Sequence, residues 1–156
     1  MSERQFATFY LDDLLLGIDI LAVREINRHL DLTNVHLVED YVCGMLNLRG
    51  QIITMLDLGV KLGLKPREIT PESRGIILKT QQEIDTKTFE ALAEEDLGTD
   101  HVGLLVDRVG DVVTVDAGEI DPPPANIGEI SGQYLSGVVR LEDKLLSILK
   151  ITPITV

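Results

Sequence analysis

Tryptophan is absent from the chain, cysteine occurs once, and aromatic residues make up 4% of it. The lone Cys43 excludes an intramolecular disulfide and fits a reducing compartment. With few aromatics, the interior falls to branched aliphatics, and Leu, Ile and Val supply about a third of the 156 residues. Such aliphatic content separates the chain from disordered proteins of similar charge. Bases are also scarce: Lys and Arg number 14 against 26 Asp and Glu, a net charge of −12. Nucleic acids and anionic membrane surfaces are held by clustered Lys and Arg. No such cluster occurs, which argues against nucleic acid and direct membrane binding. No apolar run reaches the length of a membrane span, and Met1-Ser2-Glu3-Arg4 opens no signal peptide. The expectation is a cytoplasmic protein, a single domain over residues 1–156, long enough to bury a real core.

What the chain has in abundance is short apolar segments between turn residues. Strands are expected at Phe6–Leu11, Leu14–Ile20, Val23–Ile26, Val35–Val38, Leu46–Leu58, Gly75–Lys79, Val102–Val115 and Val138–Ile151. Asp12-Asp13 turns the chain after the first. In the second, Leu14, Leu16, Ile18 and Ile20 share a face, with Gly17 opposite. Alternation slips between Leu104/Val106 and Val109/Val113/Val115, placing a bulge or bend at Gly110. Glu142-Asp143-Lys144 splits the last run into a hairpin. Helix is scarce, with one short stretch expected in Asp57–Leu64, and Asp121-Pro122-Pro123-Pro124-Ala125 reads as an extended connector. The fold class is all-β, closed or nearly closed.

Residues 81–100 differ in character. Seven acids against one base give this segment −6, half the net charge of the chain. Phe89, Leu92 and Ala93 offer a short helix an apolar face. The segment reads as a solvated acidic loop insertion with too little apolar surface to offset its ordering entropy, so its deletion is expected to leave the fold intact.

Catalytic signals are weak. His29, His36, His101 and Cys43 match no metal-ligand spacing, and no phosphate-binding glycine motif occurs. A small Cys/His hydrolase survives only as a formal alternative, because Cys43 lies between Val42 and Gly44 where a buried small hydrophobe is expected. Asp107 and Asp111 read as exposed charges around a turn. No cofactor or metal is expected, and the chain does not read as an enzyme.

The segment Cys43–Leu58 stands out. Read as one strand, it directs Leu46, Leu48, Ile52, Leu56 and Leu58 to the core and Asn47, Arg49 and Gln51 to the opposite face. Arg49 in such a row is either a docking anchor, since guanidinium chelates carboxylates, or half of a structural ion pair. Val23-Arg24-Glu25-Ile26 poses the same choice, with an exposed Val23 on the face of Glu25.

Taken together, Gly17-Ile18-Asp19-Ile20, Val23-Arg24-Glu25-Ile26, Gly44-Met45-Leu46-Asn47-Leu48-Arg49-Gly50 with Leu56-Asp57-Leu58, and Val102 to Val109 resemble the CheW family of chemotaxis coupling proteins. The blocks match in order from about Phe6 to Ile151, and Gly132-Gln133-Tyr134-Leu135-Ser136-Gly137 resembles a fifth. Thr54, where relatives often carry proline, and Leu37-Val38, where they often carry Thr-Pro, depart from the pattern. The resemblance implies two small SH3-like β-barrels packed on a shared aliphatic core, and a non-catalytic adaptor. It implies as partners the regulatory domain of the histidine kinase CheA and the cytoplasmic tips of methyl-accepting chemoreceptors, with recruitment to membrane-associated receptor arrays. It carries partner binding onto Glu25 and Arg49, with Val23, Gly44 and Asn47 in the matching blocks; Gln51 joins them from the strand pattern. A scaffold of a non-flagellar chemosensory pathway is the alternative within the family.

Overall fold

The computed structural model describes residues 2–36, 38–92, 95 and 97–155. Leu37 of the expected strand Val35–Val38, and Ala93, Glu94 and Asp96 of the acidic segment, lie outside the described residues.

The chain opens with the antiparallel hairpin β1 (Glu3–Leu11) and β2 (Leu14–Asp19), turned at Asp12-Asp13. It then builds a second sheet from β3 (Val23–Asn27), β4 (Val42–Leu48), β5 (Gln51–Asp57), β6 (Arg74–Leu78) and β7 (Val102–Val106), in the order β3-β6-β7-β5-β4. A short helix α1 (Leu58–Lys61) follows β5, and α2 (Thr86–Ala91) lies between β6 and β7. After β7 the chain returns to the first sheet. There β8 (Arg108–Val109) and β9 (Val113–Asp116) both pair with β1. The tiny hairpin β10 (Asn126–Ile127) and β11 (Ile130–Ser131) precedes β12 (Leu135–Arg140) and β13 (Leu145–Leu149), and α3 (Thr152–Thr155) follows. β13 lies parallel to β2, so the two ends of the chain meet in one sheet.

The slip in the Val102–Val115 run is thus a crossing between sheets. Gly110 makes the corner expected of it: its amide donates to the Thr8 carbonyl at 2.9 Å, and a Cβ there would meet Thr8 Oγ1 at 2.6 Å. The apolar run Leu46–Leu58 differs from expectation in being two strands rather than one. Val35, His36 and Val38 form no strand, and Val38 is exposed.

The two sheets follow one plan. In each, a hairpin (β4–β5, β12–β13) lies parallel to a strand (β7, β2) whose antiparallel neighbour (β6, β1) carries the outer strand (β3, β8–β9). Register agrees in detail. Met55 pairs with Gly103 and with Gly44; Ile148 pairs with Gly17 and with Gly137. Bulges interrupt both hairpins just before those glycines. Beside each bulge a returning segment closes the sheet through an isolated bridge, Thr33 to Met45 in one and Asp121 to Val138 in the other. A Cβ on Gly44 would stand 2.9 Å from the Thr33 carbonyl, and one on Gly137 would stand 2.9 Å from the Asp121 carbonyl. Side chains are excluded at both positions by the approach that closes the sheet. The second unit is the first plan circularly permuted, its fourth and fifth strands coming first in the chain.

Burial divides three ways. Leu46, Leu48, Ile53, Met55 and Ile77 fill the β3–β7 unit, and Phe6, Leu15, Val115, Val139, Leu146 and Ile148 fill the other. Between the units lies a shared core to which β1 and β2 give Phe9, Leu11, Leu16 and Ile18, and β5 to β7 give Leu56, Ile76, Leu78 and Leu104. Central strands are therefore buried on both faces, which explains apolar runs more continuous than simple alternation. Arg67, in the loop after α1, bolts the units together. Its nearly buried guanidinium pairs with Asp12 at 2.9 Å and Asp107 at 3.2 Å. Asp107 is thus half-buried and paired, not a free surface charge, whereas Asp111 is exposed as expected.

The acidic segment is not wholly a solvated loop. Glu83, Asp85, Glu90 and Asp100 are exposed, but Leu92 and Leu97 are each 3% exposed and belong to the shared core. Its neck is closed by Gln81, whose amide donates to the Gly98 carbonyl at 2.7 Å and whose Oε1 accepts from the Leu97 amide at 2.9 Å. Glu95 Oε1 accepts from the amides of Ile151 and Thr152, holding the entry to α3.

Candidate functional site

Between Leu48 and Gln51, which pair across the hairpin, the chain reverses in two residues, Arg49 (φ +51°) and Gly50 (φ +88°). Positive φ at both central positions defines the mirror-image turn that suits twisted hairpins. The turn is clamped by Asn47 Oδ1, which accepts from the Gly50 amide at 3.1 Å. A left-handed arginine costs on the order of 1 kcal/mol. It projects the guanidinium from the tip of the hairpin to β3, where Arg49 donates to the Glu25 carboxylate. Arg24 Nε stands 3.8 Å from the same Glu25 oxygen. Glu25 is largely covered and Arg49 is 67% exposed, so the guanidinium presents a wet face.

Behind this pair lies a groove of about 440 Å³. Glu25, Asn27, His29, Asp31 and Thr33 line one side, and Leu46 to Arg49 the other. Asn27 Oδ1 accepts from the His29 amide at 2.9 Å, fixing the turn out of β3. The groove is polar in its upper walls with an apolar floor of buried Leu46 and Leu48.

Of the six residues expected at the site, Glu25, Asn47 and Arg49 are brought together here. Gly44 contributes backbone shape at the Thr33 closure. Val23 is half-buried against the shared core rather than exposed, and a register shift separates it from Glu25 along β3. Gln51 stands apart from Asn47. The two-residue turn pairs it with Leu48, and since neighbouring residues alternate faces, Gln51 leaves the face on which Asn47 and Ile52 sit opposite each other. Ile52 is correspondingly 56% exposed instead of buried, and Ile53 takes its place in the interior. Ile26 on β3 is a second exposed apolar residue, at 45%. Neither isoleucine was expected on the surface. The signal for Ile52 was present in Arg49-Gly50, a two-residue spacing between alternating strands.

Cys43 offers no activated nucleophile. Its thiol donates to the Met55 carbonyl at 3.4 Å, and burial with the nearby Asp57 carboxylate pushes its pKa up to about 11. Asp57 itself is buried and raised in pKa by that burial, against the amides of Arg67 and Val60 that donate to it at 2.7 and 3.2 Å. It caps α1. Among the described residues no group of three His, Cys, Asp or Glu side chains is placed to hold a metal ion, and no helix is long and apolar enough to cross a membrane.

The chain is similar throughout to known proteins. A family model described as the CheW-like domain matches residues 5–155. The chemotaxis protein CheW of Treponema pallidum is 34% identical over 94% of this chain and 79% of its own length. The chemotaxis protein CheW of Bacillus subtilis is 33% identical over 85% of this chain and 74% of its own. Among solved structures, the scaffolding protein TtCheW from Thermoanaerobacter tengcongensis superposes with a TM-score of 0.79 at 27% identity, covering 99% of this chain and 88% of that one.

Proposed function

We propose that the chain, which belongs to the CheW-like domain family of chemotaxis scaffolds and is not an enzyme, couples methyl-accepting chemoreceptors to the histidine kinase CheA in the cytoplasm. The observation that carries this reading is the Glu25–Arg49 pair over the groove. It presents an exposed, forked cation on a rigid hairpin tip, and the residues that form it lie in the blocks that resemble the family. A receptor tip is a helical hairpin, and a groove with an apolar floor and charged rim suits a helix ridge whose flanking charges set register. The exposed Ile26 and Ile52 add apolar contact area on the same unit. CheA contributes a regulatory domain of the same fold, so its contact is barrel against barrel, on a face separate from that taken by the receptor. Control of the kinase then requires that the adaptor bind its signalling states with different affinities; equal affinities shift nothing.

Reconstitution tests this function. Receptor-containing membranes and purified CheA are mixed with and without the chain, and kinase autophosphorylation is measured. The expected result is that kinase activity becomes responsive to chemoeffector only when the chain is present. Kinase activity indifferent to the chain overturns the assignment.

A further inference from the structure

Glu25 has two guanidinium neighbours, and only one of them is well exposed. Arg49 reaches its carboxylate from the hairpin tip. Arg24 reaches it from the preceding position of β3, its Nε 3.8 Å from the same oxygen that Arg49 holds. Successive side chains of a regular strand point to opposite faces, so residues 24 and 25 would not meet in one. The register shift between Val23 and Glu25 removes that obstacle, because a bulge sets one residue out of phase and re-aims its side chain.

Arg24 is largely covered, and Glu25 is its one ion-pair contact among the described residues. Its Nη1 is buried with no hydrogen-bond partner, although buried donors normally find one. A second anion near it is Glu83, at the root of the acidic segment, whose Oε1 accepts from the Thr80 amide at 2.9 Å. Burial opposes the charge of Glu83, but hydrogen bonds with Thr80 and the proximity of Arg24 and His101 bring its carboxyl below the ordinary value. Arg24 therefore acts on two carboxylates and is saturated by neither.

If Arg49 turns from Glu25 to an acid on a partner, it leaves behind a carboxylate that is largely covered. An ion stripped of its partner in such a place is costly. A second cation that stays in β3 lowers that cost. We propose that Arg24 is a positioning residue of the docking surface, a reserve counter-ion that holds Glu25 when Arg49 engages the partner. The proposal rests on the adaptor reading of Arg49. It also gives the acidic segment a part in docking, since Glu83 at its root shares Arg24 with Glu25.

Two measurements on the full chain test the role of Arg24, one of them without any partner. In the first, NMR of the guanidinium nitrogens reads how fast the Arg49 head group rotates. With its reserve removed in Arg24→Gln, Glu25 depends on Arg49 alone, and rotation is expected to slow about twofold. Arg24→Lys keeps the charge and is expected to rotate as wild type does. In a Glu25→Gln background, Arg24→Gln is expected to change nothing, because no charge is left to share. In the second, affinity is measured for the CheA regulatory domain and for a receptor-tip fragment. Arg24→Gln is expected to weaken whichever contact Arg49 makes about fivefold, with Arg24→Lys near wild type and thermal unfolding unchanged in both. Unslowed rotation in Arg24→Gln overturns the proposal, as does slowing that persists in the Glu25→Gln background or wild-type affinity in Arg24→Gln. Failure of the wild-type chain to bind either partner overturns the adaptor reading instead, and the rotation of Arg49 still decides whether Arg24 shares Glu25.

Discussion

Arg49 and Glu25, twenty-four residues apart, join the tip of the β4–β5 hairpin to β3. These strands lie at opposite edges of their sheet, so the pair spans the seam at which the sheet closes on itself. The exposure of Arg49 makes it a weak contributor to stability, about 0–1 kcal/mol, and leaves its charge available to a partner. Arg49→Ala is therefore expected to leave the urea midpoint nearly unchanged while weakening partner capture. Glu25→Arg combined with Arg49→Glu separates the two roles. If the pair is only a structural closure, the swapped variant binds like wild type; if Arg49 meets an acid on the partner, binding stays lost.

Gly44 and Gly137 occupy equivalent places in the two units, each against the carbonyl of a closing segment. Gly44 also has φ +152°. Alanine at either position must push that segment away, and destabilisation of about 1–3 kcal/mol is expected in urea unfolding. Similar losses from both substitutions support equivalent closures. A neutral Gly137→Ala would show that the second unit closes differently.

The acidic segment reverses one expectation drawn from composition. Because Leu92 and Leu97 are buried in the shared core, Leu97→Ala is expected to cost about 2–5 kcal/mol, and deletion of residues 81–100 to impair cooperative unfolding. Thermal melts of the two variants check this. A wild-type melting temperature in the deletion variant would restore the solvated-loop description.

Asp57 supplies a pH dependence. Burial raises its folded pKa above the unfolded value, so the native state holds the proton more tightly. Stability contributed through this group then falls as pH rises from about 4 through the raised value. Asp57→Asn is not subject to that fall. Its stability relative to wild type is expected to improve from about pH 4 to neutrality, on top of a pH-independent offset from losing one of the two oxygens that accept from the Val60 and Arg67 amides. Paired denaturation curves across this range measure the difference; a gap that widens with pH contradicts it.

Most strands were legible because turns and apolar runs are local signals: Asp12-Asp13, Gly110 and Glu142-Asp143-Lys144 all mark real reversals or corners. Errors arose where pairing decides the outcome. Arg49-Gly50 lacks the usual Asn-Gly signature of its turn, so Leu46–Leu58 read as one strand, which misplaced Gln51 and Ile52 together. A single two-residue reversal moves every later side chain to a new face. Asp107 gave no sign of its partner, because Arg67 lies 40 residues away and meets it only through the packing of the units. Leu92 and Leu97 were hidden by the acids around them, since net charge describes the solvated face of a segment and not the residues it buries.

The proposed adaptor binds both a kinase and a receptor, with Arg49 at a binding surface. Isothermal titration of the purified chain against the CheA regulatory domain and, separately, against a receptor-tip fragment tests it most directly. The expected result is saturable binding of both by wild type, with at least about a tenfold loss toward one of them in Arg49→Glu at unchanged thermal stability. No binding to either partner, or full binding to both by Arg49→Glu, would contradict it.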